Sequence, residues 1–140
     1  METPDPSFRR RLLNEALAVV AGPTRVQTAW LEKHGVVTAE IALDFDHAFR
    51  MAEGLVEEGF LSRDALPELR LIDSIFDEMS RDESTDRWTT AALISDVGWT
   101  RVRVLAQQVL AREGVNASPL PDIRVVRQRI RQIKPLPPVV

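Results

Sequence analysis

This chain predicts an all-α fold, an orthogonal array of about six or seven short helices, and three observations carry the prediction. Apolar residues recur at spacings of three and four along most of its length. Glycine and proline cut that pattern at short intervals, and residues able to cap a helix stand at the cuts. Most segments are too short for a coiled coil, and their short connectors favour an array over an up-and-down bundle.

Residues 6–21 read as an amphipathic helix. Asp5 can cap it, Pro6 suits its first position, and Phe8, Leu12, Leu13, Ala16, Leu17 and Val20 form the stripe. Gly22-Pro23 breaks the pattern, and Pro23 starts a second short helix through Trp30 and Leu31, with His34 in its last turn and Gly35 just past it. Residues 36–43 fit a connecting segment, a short strand or a helical turn, and are taken as a mainly extended connector. From Asp44 a helical face of Phe45, Ala48, Phe49, Ala52, Leu55 and Val56 runs to Gly59. Ser62 suits a single turn, and Pro67 opens a helix carrying Leu69, Ile72, Phe76 and Met79. Residues 80–87 form a polar loop. Thr89 or Asp86 caps a short helix through Leu93 and Ile94. Asp96 caps a longer one with Trp99, Val102, Ala106, Val109 and Leu110, stopped by Gly114. After a linker from Asn116 to Pro121, Ile123, Val126, Ile130 and Ile133 suggest a last basic helix, which Pro135, Pro137 and Pro138 must end. The expected division is a helical domain over residues 1–117 and a basic, proline-rich tail over 118–140.

Composition closes off several chemistries. At 140 residues, 44% of them apolar, the chain is long enough for one domain with a real core. Cysteine is absent, so disulfides, thiolate catalysis and zinc–thiolate sites are excluded. No apolar run approaches the roughly 18–20 residues that cross a bilayer. The Arg9-Arg10-Arg11 run leads only into an amphipathic segment, not a secretion signal, so the cytoplasm is the expected location and no membrane partner is expected. Arginine outnumbers lysine sixteen to two, which reads as the codon bias of a GC-rich bacterial genome. There is no GxSxG, Walker or GxGxxG pattern, so nucleophilic catalysis and nucleotide cofactors find no support.

Charge is where the chain departs from an ordinary domain. Val36 to Asp86 holds fourteen carboxylates against four arginines, while Ile123 to Val140 holds four arginines, one lysine and no acid. Such segregation builds local fields and bears on partners, not on fold. Glu53, Glu57, Glu58, Asp73, Asp77 and Glu78 are expected to form a carboxylate face. It is simply solvated, a docking surface for a basic protein or, least expected in a short helical array with little room for a cleft, a pair of carboxylates for acid–base catalysis. The residues expected to touch that partner are Glu53, Glu57, Asp73, Asp77 and Glu78.

Asp44, Asp46 and His47 are the one local cluster of acids with a histidine. Successive helical residues diverge by about 100°, and no second acid–histidine element occurs, so no metal is expected. The simpler expectation is that Asp44 caps a helix while Asp46 answers its dipole and pairs with Arg50. Trp88 and Trp99 are expected in the core, Trp88 reaching solvent more.

Residues 90–109 have a helix-turn-helix outline, with Gly98 at the turn and Arg101 and Arg103 beyond it. In that register Arg101 and Gln107 fall where apolar packing residues belong. A nucleic-acid-associated transcriptional regulator would use Arg101 and Arg103 with Arg124, Arg127, Arg129 and Arg131 of the tail. It is the alternative, not the leading expectation. The tail, with Lys134, otherwise suits the chain's own acidic middle, within one chain or across a homodimer.

The stretch from Leu43 to Leu110 resembles a group of small, uncharacterised, mostly helical bacterial proteins. The likeness rests on Leu43-Asp44-Phe45-Asp46, on Leu55 to Gly59, on Ile72-Asp73 with Met79-Ser80, and on Trp88-Thr89, Ala92-Leu93, Trp99, Val102-Arg103 and Leu105-Ala106. In size and acidity the chain is similar to the immunity partners of contact-dependent or polymorphic toxins. That likeness implies a non-enzymatic protein-binding module whose acidic face occludes a basic partner, a toxin in its most concrete form.

Overall fold

A computed structural model of the chain describes residues 5–116 and residue 120. The described residues form seven helices and no strand: α1 (Pro6–Ala21), α2 (Thr24–His34), α3 (Ala39–Phe49), α4 (Ala52–Glu57), α5 (Ala65–Arg81), α6 (Thr90–Ser95) and α7 (Val97–Arg112). None of them is long and apolar enough to cross a membrane. The basic helix, the proline-rich end and the docking expected of residues 121–140 lie outside the described residues.

The caps act as their residue types dictate. An Asp5 carboxylate oxygen accepts the Ser7 N–H at 2.8 Å, the Thr89 hydroxyl accepts the Ala92 N–H at 3.0 Å, and Asp96 accepts the Gly98 N–H at 2.7 Å. Gly59 takes a φ of +82° just past α4, which lets the Phe60 N–H turn back to the Leu55 carbonyl at 2.8 Å.

Three expectations on the elements need correction. Residues 36–43 are not a mainly extended connector, because α3 begins at Ala39. The β-branched run Val36-Val37-Thr38 hides a helical face, Ile41, Phe45 and Ala48, which is almost wholly buried. Asp44 therefore sits in mid-helix and caps nothing, and Asp46 lies near the C-terminal end of α3, where it cannot answer an N-terminal dipole. The run from Asp44 to Gly59 is two helices, not one. The Met51 N–H bonds to the Ala48 carbonyl three residues back, a tightened turn that re-aims the chain so that Ala52 and Leu55 also reach the core. The helix attributed to Pro67 starts two residues earlier, at Ala65, with Pro67 in its first turn, where no N–H is needed.

α1 packs against α3 and α7, and α7 packs in turn against α5. Leu13, Leu17 and Val20 of α1 meet Ile41, Phe45, Leu69, Ile72, Trp99, Val102, Ala106 and Val109 in one continuous core. Where α5 meets the start of α7, a Cβ on Gly98 would stand 2.8 Å from the Met79 sulfur and 2.9 Å from an Arg87 nitrogen, so any larger residue would have to displace these two side chains. Trp99 is fully buried and donates its indole N–H to the Arg87 carbonyl at 3.0 Å.

The end of α1 is closed from a distance. Fully buried Gln27 donates to the Val19 and Val20 carbonyls at 2.9 and 3.0 Å, Gln107 to Ala21 at 3.0 Å, and Arg103 to Gly22 at 3.0 Å. Arg103 also reaches the Gln27 side-chain oxygen at 2.9 Å and the Leu93 carbonyl at 3.2 Å. Polar side chains from α2 and α7 thus satisfy carbonyls that every helix end leaves open. This explains why Arg103 and Gln107 interrupt the apolar pattern of α7.

Candidate functional site

The carboxylates expected on one face divide into separate environments. Glu58 pairs with buried Arg9 at 2.6 Å, on the α1 side. Glu53 pairs with Arg70 of α5 at 3.1 Å, and Glu57 is exposed one turn further along α4. Glu78 is exposed and feels the charge of Arg87, which is itself held by Asp96 at 2.8 Å. Asp73 and Asp77 of α5 instead face α3 across a cleft of about 480 Å³.

That cleft is an acidic concavity with aromatic residues among its lining. Phe45 and Phe76 meet at its base with ring centroids 5.9 Å apart in a T-shaped contact, and half-buried Trp88 lies 6.0 Å from Phe76. Ala39, Ala42 and half-exposed Leu43 form the α3 wall. Asp46, Asp73 and Asp77 line it, with Arg50 as the only cation among its described lining residues.

Arg50 is held by Asp46 at 3.1 Å, the one pairing the sequence predicts correctly here, and Asp77 is held by Arg81 at 2.9 Å. Asp73 makes no ion pair among the described residues. Burial first, then the neighbouring charges of Asp46 and Asp77, push its carboxyl above the usual range, with Arg50 opposing. The cleft thus sets an aromatic cluster beside an acid that makes no ion pair among the described residues. A planar, delocalised cation such as guanidinium satisfies both parts at once, lying against the exposed part of Trp88 and bonding to the carboxylate.

Sequence reasoning names Asp73 and Asp77 but misses Asp46, Arg50 and the aromatic floor as parts of the same place. The helical spacing of Asp46 with Arg50 and of Asp73 with Asp77 is visible in the sequence. The facing of α3 by α5 is not.

Asp44 belongs to a different environment. Burial raises its carboxyl from 3.8 to about 6, with the charge of His47 opposing, while His47 itself is exposed. Among the described residues, no group of three or more histidine and acidic side chains is disposed to hold a metal ion.

The residues of the helix-turn-helix outline do not come together as a phosphate-binding set. Arg101 is exposed, whereas Arg103 spends its donors on the end of α1, on Gln27 and on Leu93. Arg124, Arg127, Arg129 and Arg131 lie outside the described residues. Comparison with protein-family models, with curated proteins and with solved structures gave no match to this chain.

Proposed function

We propose that this protein is a non-enzymatic binding module of the bacterial cytoplasm that docks an acidic helical face on a basic protein partner. Its most concrete form is an immunity-type inhibitor that occludes the basic groove of a toxin. The observation that carries this reading is Asp73, a carboxylate set among Asp46 and Asp77 over the Phe45–Phe76–Trp88 floor, without an ion pair among the described residues. Docking an arginine there removes a repulsion already present in the free protein, so the contact gains twice. Glu53 and Glu57 of α4 and Glu78 of α5 are the further carboxylates offered to this partner, each exposed and outside the cleft.

Electrostatic steering would make the association fast and salt-sensitive. The test is a pull-down from native lysate with a salt-step elution, run in parallel with wild type and Asp73→Asn/Asp77→Asn. A basic protein recovered by wild type and lost by the double variant is the expected result. Equal recovery by both, or recovery of nucleic acid in place of protein, would sink the proposal.

A further inference from the structure

A second groove shares no lining residue with the acidic cleft. It lies between the end of α1, the length of α2 and the end of α7, with a volume of about 780 Å³. Its surface is mainly apolar, with Ala21, Val26, Trp30 and Leu110 among the lining residues, while Arg25 and Lys33 stand exposed on α2 at its rim. The chain itself enters this groove. Beyond Gly114, Val115 and Leu120 line it and pack partly buried against the core.

We infer that this groove is the seat of the chain's own C-terminal segment, residues 121–134. Three observations converge on that occupant. The last described residue, Leu120, already lies in the groove, and Ile123 follows three positions later. In sequence, Ile123, Val126, Ile130 and Ile133 then recur at the spacing of one helical face; Arg124, Arg129 and Arg131 fall off that stripe, and Arg127 falls at its edge. Ile123 to Ile133 spans eleven residues, as does α2, the helix that forms one wall. In helical form each measures about 16 Å, so the stripe and the wall match in length.

A segment tethered so closely works at a high effective concentration, and modest apolar contact suffices to hold it. The rim cations decide the character of the contact. Arg25 and Lys33 repel a basic tail, so its apolar stripe drives docking and its arginines stay in water. Added salt therefore leaves the contact intact or tightens it, the opposite of a tail lying on the acidic cleft. The inference uses none of the groups on which partner docking rests, and either can fail without the other.

Limited trypsin digestion of the full-length protein tests it, because the tail carries its own cleavage sites at Arg124, Arg127, Arg129 and Arg131. Ala29→Lys places a long cation at an exposed groove position without disturbing the core, and Val126→Ser/Ile130→Ser removes the stripe and leaves the groove untouched. Each variant is expected to lose the tail roughly tenfold faster than wild type, with an unchanged melting temperature for the helical core. Wild-type cleavage should not accelerate between low and high salt, after correction for the salt response of trypsin on a free tail peptide. Equal tail cleavage in wild type and both variants would overturn the inference. So would acceleration by Asp73→Asn/Asp77→Asn as large as that by Ala29→Lys, which would move the tail to the acidic cleft. A wild-type dimer in light scattering that Ala29→Lys dissociates would replace the chain's own segment with that of a second copy.

Discussion

Asp44 shows what one misplaced helix start does to a residue. Read as a cap, it is a solvated carboxylate. Placed in the middle of α3, it is partly buried and its carboxyl rises to about 6. A carboxyl raised on folding favours the folded state in its protonated form. Its contribution is therefore most favourable below the unfolded value of 3.8 and is lost as pH climbs through about 6. Asp44→Asn removes that loss. We expect the variant to gain on the order of 1–2 kcal/mol over wild type at pH 7.5, after discounting for solvent screening, and almost nothing at pH 4. Urea unfolding at the two pH values checks this, and an equal gain at both would remove the carboxylate as the cause. Asp73, raised first by burial, is different in kind, because the like charges of Asp46 across the cleft and Asp77 one turn along α5 also contribute to its shift, and a partner's cation would oppose them.

At the scale of helices, what was legible was whatever a single segment reveals about itself. The bounds of α1, the Thr89 and Asp96 caps and the stop at Gly114 follow from residues a few positions apart. The start of α3 was hidden because Val36-Val37-Thr38 carries a strand-like local preference, while the burial that makes Ala39–Phe49 helical comes from α1 and α5. The cleft was hidden for the same reason, its acids coming from two helices. Arg103 is the sharpest instance. Within α7 it looks like a spare cation fit for phosphate, and only the open carbonyls of another helix reveal its use. Arg103→Met strands the Gly22 and Leu93 carbonyls and the Gln27 oxygen, and should cost about 2–4 kcal/mol in chemical denaturation. Arg101→Met, at an exposed position on the same helix, should stay within about 0.5 kcal/mol of wild type. Similar losses for both would dismiss the capping role.

Across the whole molecule, arginines from within the acidic middle and from outside it answer part of its charge. Arg9, Arg70 and Arg112 pair with Glu58, Glu53 and Glu68, and Arg87 with Asp82 and Asp96. Asp73 in the α3–α5 cleft and the exposed Glu57, Glu78, Glu83 and Asp86 make no ion pair among the described residues. Screening should therefore stabilise the wild-type protein, with a melting temperature about 2–4 °C higher at 200 mM than at 20 mM sodium chloride. Asp73→Asn/Asp77→Asn should respond less, and an identical response would place the repulsion elsewhere. The distant closure of α1 has a consequence of another sort, in the order of events during synthesis. Arg103 lies 81 residues after the Gly22 carbonyl that it satisfies. At roughly 5–20 residues per second a ribosome takes several seconds to bridge that interval. A nascent chain interrupted before α7 emerges therefore has the Val19 and Val20 carbonyls within reach of Gln27, but must leave those of Ala21 and Gly22 to water until Gln107 and Arg103 arrive.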